Sequence, residues 1–373
     1  MSGFCSKHAT FIFVSGLYSM LLFNRFLTTA QKADVKNAIA RHPYSLFMLW
    51  LAAFYAVWLY IIIKNDLWQI VISHWPISAA MAAGSYFAGS TPMGGGTVGF
   101  PILVLLFDMP ASLGRNFGLA IQSIGMTSAS LYILASRKKL DWALLRPAML
   151  GALFATPLSA GFVAPHTPDL WVKLLFATIW ASFGVIHFVK LNAILASEPA
   201  RIPDAEQDRP IGLIIGVVGG VVSALTGVGI DMMIYAALVL FYRSDVKVAI
   251  PTSVVLMAFT SVIGLTSNLF LTGVNPEQYV ITPEMFYNWL AAAPIVIIGA
   301  PFGALVVNRL SRQPTLLIVS ALCIGQFVWM LIHEKVTGLP LLSALVGLLA
   351  LNLFFLRLFQ VGERRRQKSI SFE

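Results

Sequence analysis

The stretch Ser90-Thr91-Pro92-Met93-Gly94-Gly95-Gly96-Thr97-Val98-Gly99-Phe100-Pro101 interrupts apolar sequence on both sides, residues 69–89 and 97–107. No regular helix runs through it, because in a helix interior Gly costs about 1 kcal/mol and Pro about 3 kcal/mol relative to Ala. Hydrocarbon offers no water to the backbone groups that a break sets free. Such a break is tolerated only against protein or a water-filled cavity. A second interruption, Ala224-Leu225-Thr226-Gly227-Val228-Gly229-Ile230-Asp231, follows about half a chain later. Two glycine-interrupted apolar segments in matching halves point to the binding site of a transporter.

Composition makes the surroundings a membrane. Of 373 residues, 58% are hydrophobic and 11% charged, against about 25% charged in soluble domains. Apolar runs approaching the ~20 residues of a span recur along the whole length. The net charge of +9 is spread in short clusters between those runs. That is the signature of cytoplasmic loops rather than of a nucleic-acid surface. Cys5 and Cys323 are far apart, and neither a disulfide framework nor a zinc spacing is present.

The chain therefore reads as an all-α, polytopic membrane protein. Residues 1–65 form an N-terminal extension with one or two extra spans: a short run at 9–23, which also fits a signal-peptide core or an interfacial helix, and a clear span at 44–63. Residues 66–190 form a first transport repeat, with the break inside 66–107 and spans at 111–135, 142–163 and 169–190. Residues 191–209 are a polar linker. Residues 210–333 form a second repeat, with the break inside 210–242 and spans at 246–271, 284–307 and 314–333. Residues 334–373 add a span at 339–360 and a basic tail, Glu363-Arg364-Arg365-Arg366-Gln367-Lys368, expected to be solvated. At 33 residues, 210–242 is too short for two full spans of ~20 residues. Two half-length helices meeting near the midplane are expected, with helix N-termini near Thr97 and Ile230 aimed at the turns.

Charge sets an orientation. Loops 24–43, 136–141, 190–210, 243–247, 308–314 and the tail carry 18 of the 25 Lys and Arg residues, whereas 164–168 and 272–283 carry none. With the clustered loops and the C-terminal tail in the cytoplasm, the first broken segment opens from outside and the second from inside. The two repeats are then inverted. Local echoes support the pairing: Thr156-Pro157-Leu158-Ser159-Ala160 parallels Ala300-Pro301-Phe302-Gly303-Ala304, and Gly114-Arg115-Asn116-Phe117-Gly118 takes the place of Ala249-Ile250-Pro251-Thr252-Ser253.

Several residues are candidates for substrate contact. Gly94, Gly95, Gly96, Gly227 and Gly229 would bare N–H groups to an anion's oxygens, or serve close helix packing. Thr97 opens the helix after the first break. Arg115 can grip a sulfonate or carboxylate bidentately, or reach for the outer interface. Asn116 and Ser123 share a helix face with Gln122 nearby, as a polar stripe or as interhelical hydrogen-bond partners. Asp231 can carry a coupling proton, hold a cation, pair with Arg115, or sit at a helix N-terminus. Thr226, Thr252, Ser253 and Asn268 offer hydroxyl or amide donors. His187 and Lys190 read as anchors at the cytoplasmic end of a span. The six histidines lie near span ends without HExxH or paired carboxylates, which argues against a membrane-embedded enzyme.

The glycine breaks, the element Arg137-Lys138-Lys139-Leu140-Asp141-Trp142, and the second copy with Thr226-Gly227-Val228-Gly229 and Pro251-Thr252-Ser253 resemble the TauE/SafE sulfite-exporter family, also called the toluene-sulfonate uptake permeases. The resemblance covers roughly residues 75–333. It implies a secondary transporter of a small sulfur-containing or carboxylate anion, working in the lipid bilayer of a bacterial inner membrane. A proton or cation would be the coupling partner, with no cofactor and no nucleic acid. Passive anion conduction and a scaffold or receptor role are the alternatives. The chain departs from the family pattern in its long N-terminal extension and in Arg115-Asn116-Phe117, where a small-Thr-Ser sequence is usual.

Overall fold

The computed structural model describes residues 43–94, 96–195, 201, 204–306 and 312–370. The short apolar run at 9–23, Gly95 and the side chains of Gly96 and Thr97 lie outside the described residues. The elements among the described residues are all helical, and nine helices there are long and apolar enough to cross a membrane.

The order of elements occurs twice. After α1 (Ser45–Asn65) and the short α2 (Trp68–Ser73), α3 (Trp75–Ser90) stops at the first break. Then α4 (Gly96–Pro101) passes into a π-helical turn at Ile102–Leu106, and three long helices follow: α5 (Ala111–Ala135), α6 (Trp142–Phe162) and α7 (Asp169–Leu195). In the second half α8 (Ala205–Thr226) stops at the second break. Then α9 (Ile230–Ala236) passes into a π-helical turn at Ala237–Phe241, again followed by three: α10 (Val246–Val274), α11 (Pro283–Val306) and α12 (Arg312–His333). The chain continues as α13 (Gly338–Ile370).

Local chemistry sets these boundaries. Pro110 stands immediately before α5. Asp141 accepts a hydrogen bond from Leu144 N–H at 3.0 Å and caps α6. Asp245 accepts one from Lys247 N–H at 2.8 Å and caps α10. A cap of this kind contributes about 1 kcal/mol.

The halves interlock. The broken helix of each lies along the second long helix of the other: α3 along α11, and α8 along α6. Small residues permit the approach. A Cβ on Gly89 would stand 1.8 Å from the Ala300 carbonyl oxygen, and one on Gly216 would stand 2.1 Å from that of Ala148. The paired echoes occupy matching places in these contacts, with Thr156 against Gly220 and Ala300 against Gly89. Between them α5 packs on both α10 and α11, and α7 packs on α12. Leu150, Phe154, Leu158 and Phe162 make an exposed apolar stripe along α6, at the i, i+4 spacing of one helix face. Exposed Ile214 and Val218 continue it on α8.

Two expectations change. The second broken segment is not two half-length helices: α8 is a 22-residue arm, and only α9 is short. Of the linker at 191–209, the structure describes helix as far as Leu195 and again from Ala205. Within that stretch, Arg201 joins Asp141 at 2.7 Å and Asp208 at 2.8 Å. The basic tail keeps Arg364 and Arg365 exposed, as expected of a solvated end. It continues α13 as helix, with Glu363 paired to Arg243 and Arg365 donating to Gln207 at 2.8 Å. His187 is no interfacial anchor. It is fully buried, stacked on Phe183 at a centroid distance of 3.9 Å, because the helix that carries it extends two turns further.

Candidate functional site

The first break is closed from its own side. Ser90 Oγ donates to Tyr86 O and Thr91 Oγ1 to Phe87 O, both at 2.7 Å. The Phe87 carbonyl also accepts from the Thr91 N–H at 2.9 Å, so the hydroxyls add second bonds to the last turn of α3. Thr91 is extended, and Gly94 takes a φ of 65°, a left-handed conformation that a side chain strains. Met93, in the turn, is fully buried, with its Sδ 3.4 Å from Cys323 Sγ on α12.

The second break is braced across its turn. Gly227 and Gly229 take φ of 84° and 116°. Thr226 Oγ1 donates to Val222 O and to Val228 O, each at 2.9 Å. Ser223 Oγ accepts from Ile230 N–H at 3.3 Å. Asp231 Oδ1 accepts from the N–H groups of Gly229 and Met232 at 3.2 and 3.0 Å. The Trp180 ring of α7 lies against Gly229, where a Cβ would come within 3.2 Å of it. Trp180 also ends a stack, Phe100–Phe176–Trp180, with centroid spacings of 4.3 and 4.2 Å. That stack ties α4, after the first break, to the second break through α7.

The two breaks meet beside α5. A Cβ on Gly94 would sit 2.5 Å from Gln122 Oε1 and 2.7 Å from Asp231 Oδ2. The Gln122 amide reaches the second break directly, with Nε2 donating to Gly227 O at 2.8 Å and to Gly118 O at 3.3 Å. Gly227 lies so close to α5 that a Cβ there would stand 2.6 Å from the Arg115 carbonyl oxygen. Residues 94, 122, 227 and 231 thus form one buried polar centre, drawn from both halves.

Other candidates lie around or away from it. Arg115 is partly buried and its Nε has no hydrogen-bond partner. Asp169, which accepts from the Ala111 N–H at 2.6 Å, is the carboxylate whose field reaches it. Asn116 Oδ1 accepts from Asn268 Nδ2 at 2.8 Å, a buried bond between α5 and α10. Ser123 and Ser253 donate to Ala120 O and Ile250 O on their own helices, each at 2.8 Å. Thr252 Oγ1 donates to Val248 O at 2.7 Å and accepts from Asp141 N–H at 3.0 Å. Its hydroxyl serves the capping residue of α6 rather than the breaks.

Sequence reasoning missed the cluster at the other end of α8. Arg201 bridges Asp141 and Asp208, and its guanidinium lies 4.0 Å from the Tyr242 ring centroid. Burial alone would lower the Arg201 pKa, but its bonds to the two carboxylates outweigh that and push it up. Burial, with Asp208 beside it, raises that of Tyr242. The partners are separated by 60 and 7 residues, so only Asp141, as a helix cap before Trp142, offered a signal. No group of three or more His, Cys, Asp or Glu side chains suited to a metal occurs among the described residues.

No curated protein and no solved structure matches the chain at a significant level. Residues 76–330 match the family described as Sulfite exporter TauE/SafE. That span opens at the start of α3 and ends within α12, so it takes in both breaks and the three long helices after each. On this match over more than half its length, the chain belongs to the TauE/SafE sulfite exporter family.

Proposed function

We propose that this chain is a secondary transporter that carries a small sulfur-containing or carboxylate anion across the inner membrane of a bacterium. It would do so by alternating access between two halves of opposite orientation. The family supports transport of sulfite-related anions. The observation that carries the finer reading is the meeting of both helix breaks at one buried polar centre beside α5. Interrupted helices from two repeats converging near the middle of a bundle are how many secondary transporters build their substrate site.

Arg115 is the residue we assign to the anion. It lies beside the second break, its Nε lacks a partner, and a guanidinium offers paired N–H groups to a sulfonate or carboxylate. Gly94, Gly227 and Gly229 keep the backbone close to the path, and the Asn116–Asn268 bond holds α5 to α10. Rocking of one half against the other would open Arg115 to each side in turn.

The test is a thermal-shift screen of the purified protein against sulfite, sulfate, thiosulfate, taurine, sulfoacetate and short carboxylates, followed by flux in liposomes. A ligand of the folded state raises the melting temperature by mass action. Saturable flux with counterflow of the stabilising anion is expected. Non-saturating currents, or a screen in which no anion stabilises, would count against the reading.

A further inference from the structure

The polar centre where the breaks meet presents acceptors to itself. Gln122 Oε1 and Asp231 Oδ2 both border the small space over Gly94. Both are buried, and among the described residues neither has a hydrogen-bond partner. The orientation of the Gln122 amide is fixed by chemistry, because its nitrogen faces two carbonyl oxygens, those of Gly227 and Gly118. Only its oxygen is left to face Asp231. Two acceptor oxygens across a buried gap are stable only with something positive or a donor between them, since an unsatisfied buried polar group costs about 1–3 kcal/mol and more when charged.

We infer that this gap holds one exchangeable proton: Asp231 is a carboxylic acid whose Oδ2–H donates to Gln122 Oε1, and this proton is the ion that couples to substrate movement. The inference rests on the transport reading for its coupling step, but the proton site itself does not. Only the Oδ2–H bond forms or breaks. On release the proton passes to water, and the carboxylate keeps its Oδ1 bonds to the N–H groups of Gly229 and Met232. A hard cation is the poorer guest, since such ions gather many oxygen ligands and among the described residues two unpartnered oxygens border the space. The point is a poor seat for the anion too, which would face the Gln122 and Asp231 oxygens.

Among the described residues no other ionisable group bonds Asp231. The elements packed on α9 include α8, α10, the π turn at Ala237–Phe241 and α7, whose Phe183 and His187 face Tyr235 and whose Lys173 is paired with Asp169 and Glu334. They bring Glu206, Asp208 and Arg209 at the start of α8 and Lys247 at the start of α10. None of these makes a bond or ion pair to Asp231. The same holds for Arg115 and Tyr132 on α5, the helix of Gln122. Tyr235 lies one turn along α9 and stands against buried His187 at a centroid distance of 5.5 Å. Loss of the proton therefore leaves an uncompensated charge at the crossing of the two halves, a state that favours rearrangement.

Difference infrared spectroscopy of the purified protein tests the proton site without any substrate. Wild type should show a protonated-carboxyl stretch that shifts in deuterated water and disappears in Asp231→Asn, and moves in Gln122→Leu, where its acceptor is gone. Absence of such a band in wild type, or its persistence in Asp231→Asn, overturns the site. Liposomes with the membrane potential clamped at zero test the coupling. A gradient of about one pH unit should displace the anion about tenfold from equilibrium per coupled proton. This displacement should survive replacement of sodium by choline and vanish in Asp231→Asn. Dependence on sodium, or an undiminished pH-driven displacement in that variant, would sink the coupling. If wild type moves no anion at all, the transport reading fails while the infrared result still judges the proton site.

Discussion

At the first break, the hydroxyls of Ser90 and Thr91 fold back onto the helix they close. At the second, Ser223, Thr226 and Asp231 reach across the turn and hold both of its sides. The backbone plan is the same: a long helix, a glycine turn with positive φ, a short helix and a five-residue π turn. Only the second break carries a carboxylate, and its far end is fastened by the three-residue cluster Asp141–Arg201–Asp208, where the far end of the first has the single His74–Glu284 contact at 3.0 Å. Repetition of a fold has thus not meant repetition of chemistry. One break supplies close backbone approach, and the other supplies the titratable group.

The contrast can be broken at its anchored end first. Arg201→Ala should lower the stability of the protein by about 3–5 kcal/mol, because it leaves two buried carboxylates without their partner. Thermal unfolding in detergent would read this, and a loss under about 1 kcal/mol would mean that the cluster does not fasten the second half. At the turns, Gly227→Val should cost about 2–5 kcal/mol, combining left-handed strain of about 1–3 kcal/mol with a clash against the Arg115 backbone that cannot swing aside. Gly94→Ala meets only the ends of two side chains. It should cost about 1–3 kcal/mol and insert normally, yet abolish transport by filling the space between Gln122 and Asp231. If the two glycine variants behave alike, the asymmetry between the breaks is structural decoration. The smallest effect belongs to Arg115→Lys, which should weaken anion binding about tenfold with little change in melting temperature, since an ammonium cannot make the paired contact. Unchanged affinity would return Arg115 to the membrane interface.

Much of this frame was legible in the sequence. The breaks announce themselves through Gly and Pro, and the limits of α5 and α6 through Pro110 and Asp141. What was not legible depends on long-range crossing. Asp231 and Gln122 were each visible as polar residues in apolar sequence. Nothing local says that an amide on α5 faces a carboxyl 109 positions later. Arg201 drew no notice within a polar linker, because short-range sequence does not reveal that Asp141, Asp208 and Tyr242 wait for it. His187 misled because its helix outlasts its apolar run, so the residue at the apparent end of the span lies in its interior.

Each half lays its interrupted helix not against its own bundle but against its neighbour's, α3 on α11 and α8 on α6, through glycines too close to admit a methyl group. Cutting the gene between residues 195 and 204 would therefore not yield two smaller working machines. Either fragment, made by itself, would have nowhere to rest that helix except on a second copy of itself.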